Sequence, residues 1–309
     1  MKAKTLWRWV SVLFALVASI YFIGYATEHI RELPPLAWGV ETWALLSISI
    51  FLWAGIIILG ALIWKILLVD LNCRLDLRDC MTIYGIAQFG KYLPGNIGHH
   101  VGRVVLAKQA GIPAAIALQT MFIEMVWAIG IGSGIALFGI VLGGDVRVSP
   151  AVLTLFFIVT LLAPWAAWGI ASVFFPKLVA RITKGAPIAL PRLGTLILVS
   201  LLYLAAFIAT GVLMDMHARF LFGAQSGHIF MLMVAFAWSW IAGYIVPGAP
   251  AGLGVREAVL LSALTPIYGA SIAVGITLSL RVVTTLGDGM VFLIALLLSR
   301  LNLGNRHTT

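Results

Sequence analysis

Apolar residues fill this chain in long uninterrupted blocks, and the polar positions fall between the blocks instead of alternating with apolar ones. A block of about twenty apolar residues has the length of a helix that crosses a hydrocarbon core. The pattern predicts membrane-spanning helices at Trp7–Tyr25, Trp38–Leu68, Ala114–Leu142, Ala151–Phe175, Thr195–Met214 and Ala270–Leu298. Two stretches fit less simply. Met81–Leu93 is too short to cross and reads as a half-helix, whereas His228–Val246 is long enough either to span or to stop halfway.

The connectors set the orientation. Lys177, Arg181, Lys184 and Arg192 stand together without an acid, which assigns that loop to the cytoplasm. The connector Asp70–Cys80 is cytoplasmic as well, while Gly143–Pro150 and Asp215–Gly227 fall outside. Arg300 and Arg306 place the C-terminus inside. Lys2, Lys4 and Arg8 before Val10–Ile23 also have the look of a secretory signal. The later spans favour an uncleaved first helix with a cytoplasmic N-terminus.

An internal repeat runs across these blocks. "YLPGNIGHHVGRVVLAKQAGIP" and "YIVPGAPAGLGVREAVLLSALTP" share their punctuation: Pro94-Gly95 matches Pro247-Gly248, Arg103 matches Arg256, and Pro113 matches Pro266. Proline removes an amide donor and glycine admits unusual backbone angles, so Pro-Gly ends a helix. Non-helical backbone at membrane depth must line a cavity or be buried in protein. Each copy therefore reads as a re-entrant hairpin, with Val101–Ala110 as the returning half-helix of the first. An odd number of crossings lies between the copies if His228–Val246 is a half-helix, which inverts one relative to the other. The expected fold is all-α and polytopic, a single transmembrane domain over 1–309. It has about six full transmembrane helices plus two inverted re-entrant helical hairpins in a pseudo-two-fold repeat, at about 81–113 and about 228–266.

Charge inside a bilayer is costly and marks function by default. The candidates for substrate binding are Arg103, Arg256, Glu257 and Lys91, with Gly95, Gly98, Gly248, Gly252 and Gly254 in the loops around them. Both arginines are expected to head their half-helices, where backbone amides already favour an anion and a guanidinium adds a bidentate fork for phosphate. The competing reading pairs them internally, Arg256 with Glu124 or Asp288 and Arg103 with Glu257. Glu124, Arg281 and Asp288 are expected to form an intramembrane charge network. Lys91 also reads as a residue reaching toward the cytoplasmic headgroups. His99 and His100 flank the first loop and are expected to be hydrogen-bonded or to face headgroups.

Composition agrees with the pattern: 62% of the 309 residues are hydrophobic and 10% charged, with a mean hydropathy of +1.08. The net charge of +9 fits a membrane protein facing anionic lipid, and no nucleic-acid motif accompanies it. Cys73 and Cys80 are expected as free thiols. Neither a Walker loop nor a metal-binding helix motif occurs, so no cofactor and no metal are implied.

The motifs "GKYLPGNIGHHVGR" (Gly90–Arg103) and "PAGLGVREA" (Pro250–Ala258) resemble those of the transmembrane region of lysylphosphatidylglycerol synthases, which also occurs as stand-alone flippase-like proteins. The resemblance covers nearly the whole chain. It implies translocation of an anionic or lipid-linked headgroup, with Arg103, Arg256 and Glu257 as the matching residues. The soluble aminoacyl-transferase portion is expected to be absent, which argues against lysine transfer. The expected function is a lipid flippase of the cytoplasmic (inner) membrane, not an enzyme. Its substrate would be a phospholipid, an aminoacyl-phospholipid or a polyprenyl-phosphate-linked sugar. The alternative is an integral-membrane glycosyl or acyl transferase. The small-residue face at Gly130 and Gly134 allows a homodimer, and a neighbouring lipid-modifying enzyme is a further candidate partner.

Overall fold

The computed structural model describes residues 17, 20–32, 38–92, 98–143, 154, 155, 158, 162, 169, 170, 172–177, 180, 191–225, 227–246 and 250–306. Among these the chain is nearly all-helical, with no strand. Eight helices carry the description: α1 (Val40–Asp70), α2 (Leu77–Gln88), α3 (Gly98–Gln109), α4 (Ala114–Gly143), α5 (Leu193–Met216), α6 (Ile229–Ile245), α7 (Val255–Tyr268) and α8 (Ala270–Arg306). Short 3-10 turns at Phe89–Tyr92 and Pro250–Gly252 follow α2 and precede α7. Both Pro-Gly breaks, with Gly95 and Gly248, lie outside the described residues, as do most of the spans expected at Trp7–Tyr25 and Ala151–Phe175.

Four described helical segments are long and apolar enough to cross a membrane: Val40–Asp70, Ala114–Ile140, Leu193–Leu221 and Ala270–Arg300. The protein is a multi-pass membrane protein. The 17-residue α6 is about 26 Å long at 1.5 Å per residue, short of a hydrocarbon core of about 30 Å. It packs against α7 as a helical hairpin.

Local chemistry explains where the helices stop. Asn72 takes a left-handed φ of 59° after α1, and the Cys73 amide donates to the Leu68 carbonyl at 2.9 Å, the six-to-one closure of a Schellman cap. Gly111, at φ 86°, ends α3 in the same way, with the Ile112 amide on the Ala107 carbonyl at 3.0 Å. One expected boundary moves. Asp215–Gly227 reads as a loop in the sequence, yet the fifth span continues past Met216 as a π-helical turn, His217–Leu221. Its charged residues pair locally, Asp215 Oδ2 with Arg219 at 3.1 Å. His217, fully buried, sits with its two ring nitrogens 2.9 Å from Ser279 Oγ and 3.0 Å from Ser49 Oγ.

The chain divides into two compact units. One comprises Met1–Ile56, Gly90–Gly98 and Phe207–Met290; the other comprises Ile57–Phe89, His99–Ala206 and Val291–Thr309. In the second unit, Trp64 and Leu68 pack with Cys80, Ile83, Ala107, Ile112 and Ala117, and Trp127 packs with Ile63, Leu67 and Leu196. The indoles there are both buried and hydrogen-bonded, Trp64 to Thr120 at 3.0 Å and Trp127 to Ser200 at 2.9 Å, which is how a tryptophan is accommodated without stranding its N–H.

Candidate functional site

Each unit contains its own cluster of intramembrane charge. In the second unit the cluster forms around Arg103, the sixth residue of α3 and only 7% exposed. Its guanidinium lies between two aromatic faces, 5.0 Å from the Trp64 ring and 4.8 Å from the Tyr84 ring. It forms an ion pair with Glu124 of α4 through both terminal nitrogens. Tyr84 donates a further hydrogen bond to Glu124 at 3.3 Å, and the Tyr203 hydroxyl donates to the Glu124 carbonyl at 3.4 Å. Gly60 makes room for this arrangement, since a Cβ there would fall 2.5 Å from the Tyr84 hydroxyl. Cation and carboxylate cancel, and the aromatic rings close the cluster.

The first unit gathers the remaining candidates. Asp288 of α8, 2% exposed, accepts from three donors. Lys91 Nζ lies 2.7 Å away, the Tyr92 hydroxyl 2.5 Å and Trp53 Nε1 3.2 Å. Gly287 lets the indole approach, because a Cβ there would meet Trp53 Cδ1 at 2.7 Å. Lys91 therefore does not reach out to headgroups; a buried carboxylate within contact of its ammonium holds it inward.

Glu257 of α7 is similarly committed. It accepts the Gly254 amide at 2.7 Å and pairs with Arg281 at 3.2 Å, and Arg281 also donates to the Ala251 carbonyl at 3.4 Å. These bonds tie down a turn with three left-handed positions, Ala251, Gly252 and Gly254 at φ 50°, 70° and 80°. Gly252 and Gly254 suit that backbone because they lack a Cβ; Ala251 bears the strain.

Arg256 differs from the others. It is the second residue of α7, and its alkyl stem runs between two glycines. A Cβ on Gly252 would fall 2.6 Å from its Cδ, and one on Gly243 would collide with its Cγ. Its guanidinium stands 5.4 Å from the centre of the Phe236 ring. Among the described residues it makes no hydrogen bond and no ion pair, although the Ser239 hydroxyl donates to its backbone carbonyl at 2.8 Å. A cavity of about 20 Å³ adjoins it, bounded by Ser239, Thr277, Thr284, Glu257 and Arg281. That is room for one water molecule or one phosphate oxygen.

The pairing thus differs from the internal pairing the sequence offered. Glu124 takes Arg103 rather than Arg256, Glu257 takes Arg281 rather than Arg103, and Asp288 takes Lys91. Gly98 opens α3, so Arg103 lies more than a turn inside its helix and does not head it. The sequence reading passed over Trp53, Trp64, Tyr84 and Phe236, since an aromatic residue inside a span looks like any other apolar filler. Tyr92 stood in the quoted motif, next to Lys91, with no sign that its hydroxyl had a buried partner.

Residues 8–291 match the family model described as the lysylphosphatidylglycerol synthase TM region. No curated protein matches the chain.

Proposed function

From the chain's membership of the lysylphosphatidylglycerol synthase TM region family, we propose that it moves an anionic lipid headgroup across the membrane, with Arg256 as the residue that holds it. The observation that carries this reading is the state of Arg256. Its stem is clamped by Gly243 and Gly252, its guanidinium rests on Phe236, and among the described residues its donors meet no acceptor. A half-buried cation at membrane depth is stabilised by an opposing charge. Among the described residues the neighbouring carboxylates, Glu257 and Asp288, are already engaged, so the opposing charge comes from the ligand. A planar guanidinium with free donors suits the bidentate recognition of a phosphate. The threonine and serine hydroxyls around the cavity offer further polar contacts, while acyl chains stay in lipid.

Arg103 has a different role in this reading. Paired with Glu124 and enclosed by Trp64 and Tyr84, it braces its unit. The inverted-hairpin topology expected from the charge pattern belongs to the proposal, with α6 and α7 as the re-entrant element that carries the site. A transferase would need a free general base next to the bound phosphate. Glu257 and Asp288 are both occupied, which favours carriage over chemistry.

The test is translocation of fluorescent short-chain phospholipid in liposomes containing the purified protein, read by dithionite quenching. Arg256→Gln is expected to abolish translocation with the protein still folded and correctly inserted. Wild-type rates in that variant would overturn the proposal.

A further inference from the structure

The charges around the Arg256 cavity do not balance, and the imbalance has a definite size. α7 contributes Arg256 and Glu257; α8 contributes Arg281 and Asp288; the turn before the first Pro-Gly break contributes Lys91. The groups from α6, Ser239 and Phe236, carry no formal charge. Among the described residues, three cations face two carboxylates. Lys91 and Asp288 neutralise one another at 2.7 Å, and Glu257 and Arg281 do so at 3.2 Å. One positive charge remains, on Arg256.

We infer that Glu257 is the residue that fixes the charge of the headgroup: the site takes a phosphodiester, with one negative charge, in preference to a phosphate monoester or a diphosphate, which carry about two or more. This inference rests on the reading of Arg256 as the headgroup contact. In a region of low dielectric a ligand is bound best when it leaves no net charge behind, because uncompensated charge is costly there. A singly charged diester brings the site to neutrality. A doubly charged monoester leaves one negative charge over and must also face the Glu257 carboxylate beside Arg256. Glu257 is 5% exposed and held from two sides, by the Gly254 amide and by Arg281, so it does not swing away to relieve the repulsion. The residue that secures the turn is also the one that sets the selectivity.

Glu257→Gln separates the two roles. The amide keeps an oxygen to accept the Gly254 N–H while the site gains one unit of positive charge. Glu257→Asp keeps the charge and serves as the control. The probes are dioctanoylphosphatidylglycerol, a diester, and dioctanoylphosphatidic acid, a monoester that carries close to two charges at about pH 8. Binding of each is measured by titration of the purified, full-length protein in neutral detergent.

The wild type and Glu257→Asp are expected to prefer the diester, and Glu257→Gln to shift the ratio toward the monoester by about tenfold or more. An unchanged ratio in a folded Glu257→Gln protein would overturn the inference. Arg281→Gln tests the same balance from the other side and serves if Glu257→Gln does not fold. With the surplus charge gone, both anionic probes should weaken relative to zwitterionic dioctanoylphosphatidylcholine, and an undiminished preference for the diester would sink the idea. Failure of the underlying reading looks different: Arg256→Gln would then bind both anionic probes as the wild type does.

Discussion

The Arg103–Glu124 pair offers the sharpest division between a brace and a binding residue. Arg103→Met keeps much of the stem that packs between Trp64 and Tyr84 but strands the Glu124 carboxylate, which is 9% exposed. Breaking a buried pair from one side costs about 3–5 kcal/mol. The lost cation–π contacts with the two rings at 5.0 and 4.8 Å add roughly 0.5–2 kcal/mol. Glu124→Leu strands the guanidinium in turn, with a similar cost of about 3–5 kcal/mol. The double variant removes both charges, and replacement of a buried pair by apolar side chains is about neutral or stabilising. In a thermal melt of the detergent-purified protein, each single variant is expected to lose roughly 6–20 °C, at about 2–4 °C per kcal/mol. The double variant should recover most of that loss. In liposomes the double variant should translocate lipid and the Arg256→Gln protein should not. Two results would refute the reasoning: single costs that simply add in the double variant, or a stable double variant with no translocation. The second would make Arg103 a headgroup contact after all.

Three further outcomes follow from the same geometry. Gly243→Ala forces the Arg256 stem aside and should lower translocation nearly as far as Arg256→Gln, whereas Gly194→Ala, with nothing within 4 Å of the new Cβ, should leave the rate unchanged. Trp53→Phe removes one of the donors to Asp288 and should cost about 1–3 kcal/mol, read as a lower melting temperature with diester binding retained. Burial raises the Cys73 thiol above its ordinary pKa, leaving little thiolate at neutral pH. Maleimide labelling of Cys73 should therefore be slow at neutral pH and quicken as pH rises, while the buried Cys80 reacts only after unfolding, as counted by mass spectrometry.

The spans were legible because a long apolar run in lipid has few other solutions: every backbone polar group must be satisfied within the helix. α1, α4, α5 and α8 begin and end within a few residues of the expected positions, α5 and α8 running on past theirs. The extension of α5 was hidden because Asp215, His217 and Arg219 look like loop residues. Their partners, Ser49 and Ser279 for the histidine, come from other helices. The same cause hid the ion pairs. Composition placed Lys91, Glu124, Arg281 and Asp288 in the bilayer, but Tyr92 and Asp288 lie 196 positions apart in the chain, and Lys91 is one residue farther. Only tertiary packing decides which acid takes which base.

The twin motif shows most clearly how equal spacing produces unequal sites. Aligned on their Pro-Gly pairs, Gly98 of the first copy corresponds to Ala251 of the second, and Arg103 to Arg256. α3 begins at Gly98, whereas α7 does not begin until Val255. The difference lies in two substitutions. Where the first copy has His99 and Val101, the second has Gly252 and Gly254, both at positive φ, so the chain there turns for a further four positions before it can start a helix. Arg103 is thereby carried more than one turn into α3, to a level where Glu124, Trp64 and Tyr84 enclose it. Arg256 stays at the mouth of α7, where first-turn amides lack helical partners and where the carboxylate next to it is spent on holding the turn. The far ends diverge by the same logic. Gly111 stops α3, but its counterpart Leu264 lets α7 run through Pro266 to Gly269. Two motifs that share an arginine thus place one where its charge is cancelled and the other where, in the proposed reading, its charge is left for a ligand.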